Sequence, residues 1–140
     1  MPIPRPCRVL VVDDHPDSAD TLARVLRLQG HDARAIVDPH QAADTVEHYA
    51  PHVVLLDIGM PGLDGWTVAK LLREKHPFGT LKLVALTAYA MPEDHERSRQ
   101  AGFDAHVAKP VDPELLKSIL EQCFADTVRL PSKPGSTSFR

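Results

Sequence analysis

The sequence predicts a three-layer α/β sandwich, a five-stranded parallel sheet with helices on both faces. Short apolar segments alternate with helix-like segments five times, the pattern of parallel strands joined by crossover helices. Two of the segments, Val53-Val54-Leu55-Leu56 and Leu83-Val84-Ala85-Leu86, are continuous apolar runs. Strands covered on both faces look like that. A closed barrel would need about eight such units, and 140 residues fit a single domain.

The elements follow in order. The first strand spans about Arg8–Asp13. Pro16 suits the opening turn of a helix, with Asp17 and Asp20 near its positive end. Leu22, Val25, Leu26 and Leu28 supply its apolar residues, and Gly30 its stop. A second strand covers about Asp32–Val37, and a helix about Gln41–Tyr49, ended by Pro51. The third strand runs His52–Asp57. A loop, Gly59-Met60-Pro61-Gly62-Leu63, leads to a helix over about Asp64–His76. The fourth strand is about Leu81–Thr87, and Pro92 opens a helix that stops at Gly102. A short fifth strand, about Asp104–Ala108, precedes a last helix from Pro113 to about Ala125. Right-handed crossovers limit the topologies to a few. Residues 1–6 are expected to be a Pro-rich lead-in, 7–125 the domain, and 126–140 a flexible tail.

Composition narrows the function. Apolar residues make up 43% of the chain, enough for a packed core; charged residues make up 25%, and the net charge is −3 with His neutral. That balance gives no reason to expect direct nucleic-acid binding, which shows as a basic excess. No apolar run has the length of a membrane span, and the N-terminus lacks a signal-peptide core. Cys7 and Cys123 cannot build a disulfide framework and read as free thiols in a reducing compartment. A cytoplasmic location is the expectation.

Polar residues stand just past the apolar runs: Asp13 and Asp14, Asp57, Thr87 and Lys109. In an open parallel sheet the carboxyl ends of the strands line one crevice, so these residues should converge. Three crowded carboxylates repel one another by roughly 4 kcal/mol per pair at about 4 Å and an effective dielectric near 20. A divalent cation would relieve this, and all-oxygen ligation with room for water suits Mg2+. Asp57 can act as a nucleophile on phosphorus and form an acyl phosphate. The cation would neutralise charge on the phosphoryl oxygens. Lys109 would supply a second positive charge, and Thr87 a hydroxyl donor. Without the cation Lys109 becomes a salt-bridge partner. Taken singly, each has a plainer reading: the Asp pair as a helix cap, Thr87 and Lys109 as ordinary strand ends.

Together these motifs resemble the receiver domain of two-component response regulators, over about residues 7–125. The resemblance rests on Val9-Leu10-Val11-Val12-Asp13-Asp14, on Leu55-Leu56-Asp57-Ile58-Gly59-Met60-Pro61-Gly62-Leu63-Asp64-Gly65, on Leu86-Thr87-Ala88, and on Gly102-Phe103-Asp104-Ala105-His106-Val107-Ala108-Lys109-Pro110. It implies a flavodoxin-like fold with strand order 2-1-3-4-5 and Asp57 as phosphoacceptor. It implies Mg2+ ligated by Asp14, Asp57 and the Gly59 carbonyl, with Asp13 helping through water. It implies a phosphohistidine donor on a histidine kinase or histidine phosphotransfer domain, a cis Lys109–Pro110 bond, and a downstream partner at the face of the fourth helix, fifth strand and last helix. The implied switch pairs Thr87 with the residue three before the Lys. Here that residue is His106 in place of the usual Tyr or Phe, smaller and titrating near neutrality; the alternative is a half-exposed strand residue.

Other features have smaller roles. Gly59 presents no side chain to the phosphoryl group, and Tyr89 is placed to shade it from water. The i,i+4 pair His48 and His52 is interrupted by Pro51, against a shared metal. The remaining histidines read as surface residues, and Trp66 as packing. A haloacid-dehalogenase-type phosphatase would need a second Asp two residues after its nucleophile, where this chain has Gly59, so an acyl phosphate would persist. A flavin carrier would need a phosphate-binding loop after the first strand, where Asp13-Asp14-His15-Pro16 is acidic. The expectation is a phosphorylatable module that catalyses only its own phosphorylation and dephosphorylation. It would have no output domain and would be a stand-alone regulator or the receiver of a hybrid histidine kinase. A degenerate receiver that binds partners without phosphorylation is the alternative.

Overall fold

The computed structural model describes residues 7–60, 63–77, 80–88 and 92–125, without the side chains of 92–95 and 123–125. The expected lead-in, Pro61-Gly62, Tyr89, the Cys123 thiol and the expected tail lie outside the described residues.

Five strands alternate with five helices: β1 (Arg8–Val12), α1 (Pro16–Leu28), β2 (Asp32–Ile36), α2 (Ala42–Tyr49), β3 (Val53–Asp57), α3 (Gly65–Lys75), β4 (Lys82–Thr87), α4 (Pro92–Ala101), β5 (Ala105–Ala108) and α5 (Pro113–Ala125). The strands form one sheet in the order β2-β1-β3-β4-β5, every neighbouring pair parallel. Topology and order are those expected, and the strand and helix ends agree to within about a residue.

The apolar runs are explained by two cores. Successive strand side chains point to opposite faces. Val9, Val11, Val53, Leu55, Val84, Leu86 and Val107 pack with Leu22 and Leu26 of α1 and with Leu116, Ile119 and Leu120 of α5. Leu10, Val12, Val54, Leu56, Leu83 and Ala85 pack on the other face with Val46 of α2, Val68 and Leu72 of α3, and Phe103. Each buried Leu or Val contributes roughly 1.5–3 kcal/mol relative to exposure. Central strands therefore carry apolar residues on both faces through their middles.

Some details differ from expectation. Leu28 is 84% exposed. Leu22 and Leu26 share one stripe of α1, and a residue two positions beyond Leu26 is rotated about 200° from it. α2 does not begin at Gln41, which lies in a 3-10 turn, Pro39–Gln41, with the Asp38 carboxylate accepting from the His40 N–H at 2.9 Å. The helix stops one residue before Pro51, at Ala50 with φ +52°, because the residue preceding a proline is disfavoured in the helical region. His31 and His106 are buried, at 8% and 4% exposure, so His31 is not a surface residue and His106 is not half-exposed.

Gly30 ends α1 at φ +92°, with its N–H bonded to the Arg27 carbonyl and the His31 N–H to the Leu26 carbonyl. Gly102 repeats the arrangement after α4, at φ +105°, with Phe103 N–H bonded to the Ser98 carbonyl. Both are Schellman stops, in which glycine takes the left-handed position without a Cβ penalty.

Candidate functional site

The crevice is assembled by strand register. Asp57 ends β3 opposite Leu86 of β4, so Thr87 lies one step further along the neighbouring strand. The Ile58 N–H continues the ladder to the Leu86 carbonyl at 3.1 Å, and the Lys109 N–H bonds the Thr87 carbonyl at 2.8 Å. Asp13 leaves β1 with its N–H on the Ile36 carbonyl. Lys109–Pro110 is cis.

Lys109 closes the site. Its Nζ donates to Asp13 Oδ2 at 2.8 Å and to Asp57 Oδ2 at 3.0 Å. Burial alone would raise the Asp13 pKa, but the Lys109 ammonium and the His15 backbone N–H outweigh it and hold the carboxyl below its ordinary value. Burial likewise opposes the Lys109 charge, and the two carboxylates reverse that and raise its pKa. Lys109 is thus a salt-bridge partner of both carboxylates.

The other Asp57 oxygen, Oδ1, accepts the Gly59 N–H at 2.9 Å. A Cβ added at Gly59 would stand 3.6 Å from that oxygen, so position 59 overlooks the carboxylate. Gly65 is held more tightly. A Cβ there would come within 2.6 Å of the Ile58 Cα and meet the Asp57 carbonyl. Asp64 caps α3 by accepting from the Thr67 N–H at 2.9 Å, so the helix start and the strand that ends at Asp57 pack backbone against backbone.

The donor set fits a divalent cation. Asp13, Asp14, Asp57 and His15 each bring a ligand atom within 4.8 Å of the others. Asp14 Oδ1 is buried and accepts no hydrogen bond among the described residues. A buried carboxylate oxygen without a donor is a vacant acceptor, which a cation satisfies. Beside the crevice, a groove of about 520 Å³ runs between α1 and the stretch 109–111, lined in part by Asp13, Ser18, Thr21, Lys109 and Pro110.

The fold thus brings Asp13, Asp14, Asp57, Gly59, Thr87 and Lys109 to one edge of the sheet. His106 is not among them. It lies on β5 opposite Ala85, on the sheet face away from Val107. His48 and His52 do not meet a common ion: His48 Nδ1 is 2.8 Å from the Asp44 carbonyl oxygen, and His52 Nδ1 accepts the Arg8 N–H at 2.9 Å. Burial lowers the His52 pKa. Trp66 packs on the core, donates to Ser98 Oγ at 3.1 Å, and lies under the Arg97 guanidinium at 3.9 Å. Sequence reasoning missed His15, although it directly follows the Asp pair.

An acidic crevice with an opposed lysine at the carboxyl edge of a 2-1-3-4-5 sheet defines a receiver module. The model of the response regulator receiver domain matches residues 9–121, and the chain belongs to that family. It is 36% identical over 118 residues to a 14.6 kDa protein encoded in the sodA1 3' region of Leptolyngbya boryana, covering 84% of this chain and 90% of that one. It is 34% identical over 121 residues to the sensor histidine kinase RcsC of Salmonella typhimurium, covering 86% of this chain and 12% of that one. A response regulator receiver domain protein from Methanospirillum hungatei superposes with a TM-score of 0.77 at 26% identity, covering 89% of this chain and 98% of that one. The chain thus spans nearly all of one relative and about an eighth of another.

Proposed function

We propose that this receiver accepts a phosphoryl group on Asp57 from a phosphohistidine and that the modified domain is read by a downstream protein. The observation that carries the reading is Lys109 Nζ held between Asp13 and Asp57 beside the unsatisfied Asp14 oxygen. In the transfer, an Asp57 carboxylate oxygen attacks phosphorus and an acyl O–P bond forms. The donor's N–P bond breaks, and the imidazole nitrogen leaves with the electron pair. Asp57 can attack because each carboxylate oxygen retains a lone pair beyond the single bond it accepts. Lys109 follows the charge from the carboxylate to a phosphoryl oxygen, and Thr87 donates its hydroxyl to another. Asp13, Asp14, Asp57 and the Gly59 carbonyl would hold Mg2+, which supplies charge neutralisation at the phosphoryl oxygens.

Further points complete the reading. Gly59 leaves no carboxylate two residues after Asp57 to act as a hydrolytic base, so the acyl phosphate persists and the module signals rather than turning over substrate. The phosphodonor is a histidine kinase or phosphotransfer domain, reaching Asp57 past the groove beside α1. Thr87 and His106 relay the change to the α4–β5–α5 face, and residues 7–125 act as the folded unit in the cytoplasm. The absence of a basic excess argues against direct contact with nucleic acid. Among the described residues no helix is long and apolar enough to cross a membrane.

The test is intact-protein mass spectrometry after incubation with acetyl phosphate, with and without Mg2+, beside Asp57→Asn. One added phosphoryl group that needs both Mg2+ and Asp57 is expected. No adduct from acetyl phosphate or phosphoramidate would instead identify a degenerate receiver acting through binding alone.

A further inference from the structure

Among the described residues, His15 contributes the only imidazole in the carboxylate cluster. It occupies the N-cap position of α1, yet its side chain makes no capping hydrogen bond. Its backbone N–H bonds Asp13 Oδ1 at 3.0 Å, which turns the residue back over the acidic pair. The ring Nδ1 then lies 3.4 Å from Asp13 Oδ1 and 3.3 Å from Asp14 Oδ1. The second of these oxygens is the buried acceptor without a hydrogen bond.

We infer that His15 makes this crevice a mixed nitrogen and oxygen site, able to take a borderline divalent ion such as Co2+ or Zn2+ with the imidazole as a ligand. The inference rests on the receiver reading, since it concerns the same cation position. Two donors about 2.05 Å from one ion stand roughly 3.35 Å apart at the tetrahedral angle and about 2.9 Å apart at a right angle. The nitrogen-to-oxygen spacings match the tetrahedral edge. Mg2+ favours octahedral oxygen ligation and retains its waters, so a nitrogen donor offers it little. Co2+ and Zn2+ accept imidazole and carboxylate together, and both stand above Mn2+ in the affinity order for such donors. The His15 side chain is 70% exposed, so its ring can engage an ion without repacking the core. The rival role is an imidazolium paired with the two carboxylates. That role would affect every divalent ion alike, because it acts by charge.

The test is isothermal titration of Co2+ and of Mg2+ into the full chain and into His15→Ala and His15→Gln, with the visible absorption of bound Co2+ recorded alongside. Circular dichroism checks the fold of each variant. The expected result is a Co2+ affinity weakened roughly tenfold or more in both variants, a Co2+ band altered in position and intensity, and a far smaller change for Mg2+. Equal changes for the two ions, or no change for either, would overturn nitrogen ligation. Mg2+-dependent phosphorylation of the unmodified chain by acetyl phosphate separates the two readings. If it proceeds while Co2+ binding ignores His15, only this inference fails. If the unmodified chain binds neither ion and takes no phosphoryl group, the receiver reading falls with it.

Discussion

Lys109 Nζ lies 3.0 Å from Asp57 Oδ2, although 52 positions separate the two residues. The same ammonium holds Asp13 at 2.8 Å. One cation therefore compensates two buried carboxylates, and its loss should be felt in stability as well as in chemistry.

Lys109→Met is predicted to lower stability at pH 7 by about 2–3 kcal/mol, somewhat less than a fully buried pair because Lys109 is partly exposed. The pH dependence follows from the two shifts. The Asp13 pKa is depressed below 3.8 in the folded state, so its contribution is present above that value and is lost as pH falls through the folded pKa. The Lys109 pKa is raised above 10.5, so its contribution is complete below that value and is lost as pH rises through the folded pKa. Urea denaturation of both proteins between pH 2.5 and 11 should show curves that differ most in the broad middle and converge at the extremes. A constant offset across the whole range would contradict the assignment.

Asp14→Asn should stabilise the cation-free protein while removing cation affinity. The substitution takes a charge out of a crowded acidic site where one buried oxygen has no hydrogen bond. A gain of about 0.5–1.5 kcal/mol is expected, the size commonly found when a functional site is relieved of strain. Thermal melts with and without 10 mM Mg2+ (about the level a weak site needs) would test it. The wild-type melt should move up with Mg2+, and the variant's should not.

Gly59 and Gly65 should respond differently to alanine. At Gly65 a Cβ meets the Asp57 carbonyl and the Ile58 Cα, both backbone, so α3 must move from β3. A loss of about 1–3 kcal/mol and slower phosphorylation are expected. At Gly59 the added Cβ has ordinary contact with Asp57 Oδ1, and stability should stay within about 0.5 kcal/mol. Longer side chains at 59 should alter the lifetime of the acyl phosphate instead. Chemical denaturation and the decay of the phosphorylated mass peak separate the two effects.

Arg73 anchors a buried network outside the crevice. Its guanidinium donates to the Gly102, His76 and Leu81 carbonyls and pairs with Asp104 at 2.9 Å. Asp104 in turn accepts the Leu83 N–H at 2.9 Å. Arg73→Met should cost about 3–5 kcal/mol, as breaking a buried pair does. Arg73→Lys should recover little, because an ammonium cannot reproduce the planar fork. Urea midpoints for the two variants provide the check.

Much of this molecule was legible in its sequence because strand ends are easily read. Val53–Leu56 and Leu83–Leu86 fixed the buried centre of the sheet, and the polar residues after them fixed its reactive edge. Periodicity alone overstated α1 at Leu28, where the helix had already turned that side chain outward. It also could not separate the 3-10 turn at Pro39–Gln41 from α2, since only backbone geometry distinguishes them. The role of Arg73 has no mark in the sequence because its partners are mainly carbonyls, which carry no sequence signal. His15 passed as solvent-facing because its contacts come from a turn rather than from a spacing rule.

The Arg73 network has a mechanical consequence. The guanidinium grips the Gly102 carbonyl through two nitrogens, immediately after α4 ends, and the Schellman bonds lock the same stop. The carboxyl end of α4 is thus moored to α3. Its amino end follows the strand that carries Thr87. A pull at Thr87 would then swing α4 about its moored end like a boom, with the largest travel at the amino end. Under the function proposed above, a partner that reads α4 would gain most by gripping its amino end.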